Sequence, residues 1–135
     1  MQLTIGSNKI LVNNKEATID ASPFIHAESK RTMVPARFVV EPIGGTIQFQ
    51  ESEKKVTILR EENKIELWIG KNIALINGNE VPIDSIPALT PVIVGGRTFL
   101  PLRFVSENIG FKVDWDPLKH IIKLEFPDPR KKKLE

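Results

Sequence analysis

Few side chains in this sequence are equipped for acid–base or covalent chemistry, and their spacing decides how far each can go. Asp114 and Asp116 flank Trp115 and share one face of a strand, a pairing that carboxylate acid–base catalysis uses. The same Asp-Trp-Asp-Pro run also suits a strand entering a turn. No base, nucleophile or metal set accompanies it, so catalysis is the weaker reading. His26 falls in a loop and His120 beside a hairpin turn, and neither belongs to a spaced ligand set; solvated or capping roles fit both. The chain has no Cys and no Tyr, which removes thiolate nucleophiles, Cys-held metal and disulfides. No catalytic, cofactor-binding or metal-binding residue is expected.

The remaining candidates are contact residues. Arg37 with Glu41, and Arg103 with Glu107, stand four apart on helical segments. They form either a charged surface for an anionic partner or two local ion pairs of a few tenths of a kcal/mol each. Phe and Val interleave with them at core spacing, which favours the ion pairs. Arg31 and Arg97 precede these segments and are placed to satisfy loop carbonyls or carboxylates such as Asp20 and Asp84. In Ile65-Glu-Leu-Trp-Ile69, alternation puts Glu66 and Trp68 on the face opposite Ile65, Leu67 and Ile69. Trp68 there either stacks on a sugar, with Glu66 as a hydroxyl acceptor, or packs where two lobes meet. The lobe contact is the favoured reading.

The elements that carry these residues come in two copies. Leu3, Ile5, Gly6, Asn8, Leu11, Asn13, Glu16, Ile19 and Asp20 recur as Leu67, Ile69, Gly70, Asn72, Leu75, Asn77, Glu80, Ile83 and Asp84, at a constant offset of 64. The match resumes at offset 66, where Arg31 to Gly44 lies over Arg97 to Gly110. A repeat of this kind fixes the organisation of the whole chain. Thr4 stands where the second copy has Trp68, so the unit itself does not require an aromatic there.

Each copy opens with a hairpin turning at Asn13-Asn14 or Asn77-Gly78, residues that tolerate positive φ. A Pro-containing loop follows, from Ala21 to Lys30 or from Ser85 to Gly96. Pro35 and Pro101 sit where a helix would begin, and Gly44 and Gly110 supply its left-handed stop. A second hairpin closes the unit, with Ile47, Phe49 and Val56 to Leu59 in the first copy and Val113, Trp115 and Ile121 to Phe126 in the second. The expected class is α+β: antiparallel hairpins with one short helix per repeat, the two repeats packed as one compact two-lobed body. The expected units are residues 1–63 and 64–127. Residues 128–135 are expected to be a disordered basic tail whose final Leu-Glu resembles a cloning scar.

Composition bounds the function classes. The chain has 135 residues, 41% hydrophobic and 27% charged, with a formal charge of +2. So even a balance gives little long-range attraction for nucleic acid, and no nucleic-acid partner is expected. No apolar run approaches the roughly 20 residues of a membrane span, and Met1 is not followed by a signal sequence.

The run Gly96-Arg-Thr-Phe-Leu-Pro-Leu-Arg-Phe-Val-Ser-Glu-Asn-Ile-Gly110, preceded by Asn77-Gly78 and followed by Val113-Asp-Trp-Asp116, resembles the copper amine oxidase N-terminal-like domain. That family's pattern approximates NGRTxVPLRFVxExLG followed by VxWD, and the likeness covers nearly all of residues 3–126. The motif residues it picks out are Arg31, Pro35, Arg37, Glu41 and Gly44, then Arg97, Pro101, Arg103, Glu107, Gly110 and Trp115. The first copy departs from the pattern at Lys30, Ala36, Pro42 and Gln50. The resemblance implies a non-catalytic extracellular or cell-surface module, mainly of Gram-positive bacteria, and in the amine oxidase a stalk remote from the active site. Oxidase chemistry itself is excluded, since its quinone comes from Tyr and its copper is held by His. A spacer, anchor or interaction module of a larger secreted protein is the leading expectation, with that protein's other domains as partners. A cell-wall polysaccharide-binding module is the alternative.

Overall fold

Turn chemistry and two-residue alternation set most of the strands. At Asn13-Asn14 φ is 51° and 66°, and at Asn77-Gly78 it is 51° and 86°, the left-handed pair that a two-residue hairpin turn requires. The computed structural model describes residues 1–19 and 21–127; Asp20 and the basic tail at 128–135 lie outside the described residues. The first strands are β1 (Gln2–Thr4), β2 (Lys9–Val12), β3 (Lys15–Thr18), β4 (Phe24–Ile25) and β5 (Thr32–Pro35). Next come α1 (Arg37–Val40), a 3-10 turn at Glu41–Ile43, β6 (Thr46–Gln50), β7 (Lys55–Arg60), β8 (Asn63–Trp68), β9 (Ile73–Ile76) and β10 (Asn79–Pro82). The chain then runs through β11 (Val92–Val94), β12 (Arg97–Pro101), α2 (Leu102–Asn108), β13 (Lys112–Asp116) and β14 (Ile121–Glu125).

These strands form three antiparallel sheets, ordered β13-β14-β1-β2-β3, β10-β9-β8-β7-β6 and β11-β12-β5-β4. Each five-stranded sheet joins the closing hairpin of one half to the opening hairpin of the other. Leu3 of β1 faces Ile122 of β14, and Ile65 of β8 faces Ile58 of β7. The joints use matched backbone bonds: the Ile5 N–H donates to the His120 carbonyl at 3.1 Å and the Ile69 N–H to the Lys54 carbonyl at 3.0 Å. His120 and Lys54 both hold positive φ, 55° and 52°. In the four-stranded sheet, Val34 of β5 lies directly opposite Leu100 of β12. These two are sequence equivalents at the 66-residue offset, so an approximate two-fold axis passes between them.

The α+β expectation is therefore corrected. The protein is mostly β, and its helical part is one turn at α1 and two turns at α2. Nor do the halves stand as two lobes, because every sheet draws strands from both. Two physical causes explain the difference. The segments expected as loops contain short strands, β4 and β11, that need partners in β5 and β12 to exist at all. Pro42 follows α1 after one residue, and a helix cannot take Pro in its interior without losing a bond and meeting the carbonyl four residues back.

Pro35 and Pro101 close strands just before the helices rather than opening the helices; Pro101 (φ −62°, ψ 115°) is the residue from which α2 departs. Gly44 caps the 3-10 turn at φ 83°, and Gly110 follows α2 at φ 103°. The core gathers Leu3, Ile58, Ile65, Leu67, Leu100 and Phe111, all buried. Ser106 on α2 is also buried, and its Oγ has no hydrogen-bond partner. Val40 is its equivalent in the first half. An unsatisfied buried hydroxyl costs on the order of 1–3 kcal/mol. Ser106→Ala should raise stability by about 1 kcal/mol, read as a higher urea midpoint at unchanged slope; a lower midpoint contradicts this.

Candidate functional site

α2 packs on β13 and leaves a groove of about 490 Å³ at the end of the sheet. Its walls are α2, the β13–β14 hairpin, the β4–β5 hairpin and the segment 83–89. Trp115 lies on the same strand face as Val113, facing Ile122 of β14. Val113 is covered, whereas Trp115 is 40% exposed. The His120 ring meets the indole edge-on, with centroids 5.9 Å apart and planes at 74°. Phe104 of α2 adds a half-buried ring to the lining.

The polar part of the groove is made of ion pairs. Arg31 Nε donates to Asp84 Oδ1 at 3.1 Å, and Asp84 Oδ2 accepts from the Ile86 N–H at 2.9 Å. Arg103 Nη1 stands 3.6 Å from Glu107 Oε2. The first pair ties the β4–β5 hairpin to the 83–89 segment and so draws one wall from each half of the chain. Asn108 spends its amide nitrogen on the Phe104 carbonyl at 2.7 Å. Lys30, beside Arg31, holds φ 60° where its equivalent Gly96 holds 77°, so the first half keeps this tight turn with a residue that pays for the left-handed conformation.

The two carboxylates around Trp115 do not converge as an acid–base pair. Asp116 Oδ1 accepts from the Leu118 and Lys119 N–H groups at 3.1 and 3.2 Å, capping the turn, and Asp114 pairs with Lys112 at 3.4 Å. His26 Nδ1 accepts from the Ser29 N–H at 3.2 Å and meets Ser29 Oγ at 2.7 Å, which closes the loop between β4 and β5. Among the described residues no three His, Cys, Asp or Glu side chains cluster to hold a metal ion.

Sequence comparison matches the copper amine oxidase N-terminal domain over residues 11–124. The chain belongs to that family. In copper amine oxidases this N-terminal domain is a non-catalytic accessory domain. Comparison with curated proteins and with solved structures gives no match.

In this copper amine oxidase N-terminal domain the motif residues fall in different places. Arg31, Arg103, Glu107 and Trp115 meet at the groove. Arg37 pairs with Glu41 at 3.6 Å on the surface of α1, and Arg97 opens β12 opposite Val94. Trp68 and Glu66 lie elsewhere, on the outer face of β8. Trp68 is half-buried, neither sealed between lobes nor laid open as a platform. Glu66 is largely covered and pairs with Lys64 at 2.9 Å. The exposed indole is that of Trp115, which the sequence pattern presents as a structural motif residue. Its equivalent Phe49 is also exposed, at 42%, so neither half seals this position, but no signal in the alternation marks it, since Val113 on the same strand face is covered.

Proposed function

We propose that the chain is a non-catalytic accessory module of a larger secreted or cell-surface protein, serving it as a spacer, anchor or interaction domain. The observation that carries this reading is the use of the polar side chains. Asp84, Asp116, His26 and Asn72, the residues best suited to chemistry or ligation, hold turns and loops in place. Asn72, for instance, donates to the Ile86 and Leu89 carbonyls at 3.1 and 2.6 Å. Family membership supports the same reading.

Two measurements test it. Titration with copper or zinc at neutral pH should show no tight stoichiometric binding, and primary amines should not be oxidised; a stoichiometric site of submicromolar affinity contradicts the reading. In the parent protein, removal of the module should leave turnover by the attached catalytic domain unchanged and alter its retention at the cell surface. A fall in turnover with unchanged retention would place the module in catalysis instead.

A further inference from the structure

The groove beside Trp115 has the make-up of a glycan site. A sugar ring offers an apolar C–H face and a rim of hydroxyls that both donate and accept. The groove offers the complement of each. Trp115 presents an indole that is 40% exposed beside the His120 ring, with centroids 5.9 Å apart and planes at 74°, and an aromatic ring with wet surroundings suits stacking on an amphipathic ring. Beside it the Arg31–Asp84 and Arg103–Glu107 pairs set cationic donors next to anionic acceptors. Arg31 and Arg103 are each 51% exposed and Glu107 34%, so these groups keep hydrogen-bonding capacity toward the groove. Each pair balances its own charge and Lys30 adds one exposed cation to the lining, so the field of the groove is weakly positive, and its mixture of donors and acceptors suits a polyhydroxylated chain. The volume, about 490 Å³, falls within the roughly 300–1,000 Å³ of sites that enclose a small ligand.

From this geometry we infer that the groove binds a polysaccharide segment, with Trp115 as the stacking platform and the two ion pairs as the hydroxyl-binding rim. The inference deepens the accessory-module reading and rests on it. Phe49, the exposed equivalent on the other five-stranded sheet, lies among Gln48, Gln50, Lys55, Thr57 and Lys64 without a flanking helix in its lining. The Trp115 groove is therefore the stronger of the two sites.

The test is retention of the whole chain on chitin, cellulose and isolated peptidoglycan, the last with and without its stem peptides. Wild type should be retained on at least one of these glycans and on peptidoglycan stripped of peptides. Trp115→Ala should weaken retention by about tenfold or more, and Trp115→Phe should fall between. The melting temperature of Trp115→Ala should stay close to wild type, because the ring is partly exposed. If that variant fails to fold, quenching of Trp115 fluorescence by soluble chitohexaose in a Trp68→Phe background replaces it, and saturable quenching is expected. No retention on any polymer with no quenching overturns the glycan site. So does undiminished retention of Trp115→Ala. Retention that disappears with the stem peptides assigns the groove to a peptide and also overturns it. The accessory reading fails on a different result, a loss of turnover in the parent protein without loss of surface retention.

Discussion

A fragment ending at Glu62 should not exist as a folded monomer. Truncation there removes a partner from all three sheets: β1 loses β14, β7 loses β8 and β5 loses β12. Leu3, Val34 and Ile58, all buried in the whole chain, would face water. A chain of about 60 residues already buries only about 60% of its unfolded surface, and this one would lose the central strand pair as well. The fragment retains one way to recover these contacts. Since Val34 faces its own sequence equivalent across the middle sheet, two copies can supply each other's missing strands about a true two-fold axis. Light scattering should report a dimer or larger species, and amide spectra at monomer concentrations should be collapsed. A monomer with dispersed amide signals and a cooperative melt contradicts this expectation and makes the halves independent.

Leu100→Ala should be the most damaging of the simple truncations. Leu100 is 0% exposed, sits opposite Val34 at 1%, and forms the middle one of the three residue pairs by which β5 and β12 join the halves in this sheet. Removing its side chain opens a cavity that neither half can fill by moving toward the other without disturbing the two five-stranded sheets, in which strands of both halves are already paired. The cost should lie at about 2–5 kcal/mol, which is a large part of the 5–15 kcal/mol typical of a whole domain. Urea unfolding should show the midpoint fall with the slope unchanged. Ile93 on β11 of the same sheet, 48% exposed, provides the control: Ile93→Ala should shift stability by no more than about 0.5 kcal/mol. Equal losses at the two sites would mean that the middle sheet does not hold the halves together.

How much of this was legible beforehand depended on the range of the interaction. Asn77-Gly78 and Asn13-Asn14 declare their turns locally, and the hairpins on either side alternate as strands should. The 66-residue offset made Val34 and Leu100 equivalent but could not make them neighbours, since periodicity says which face a strand buries and nothing about its partner. Strands of two and three residues, β4 and β11, are too short to show any period. The helices were overestimated because their signals, Pro before and Gly after, are local, whereas three antiparallel sheets are a matter of long-range pairing. The exposure of Trp115 is beyond the sequence for a related reason. Alternation correctly groups it with Val113, yet whether α2 reaches far enough to cover that face is decided by packing. Trp68 shows the same limit, since its half-buried state lies between the two exposures that sequence alone could imagine.

β1 and β14 run antiparallel, and the Met1 ammonium donates to the Leu124 carbonyl at 2.9 Å while the Leu124 N–H donates to the Met1 carbonyl at 2.7 Å. The two ends of the described chain thus leave from the same end of one strand pair. Tension applied between them does not shear that pair along its length. It peels the ladder open one hydrogen bond at a time, the geometry of least mechanical resistance.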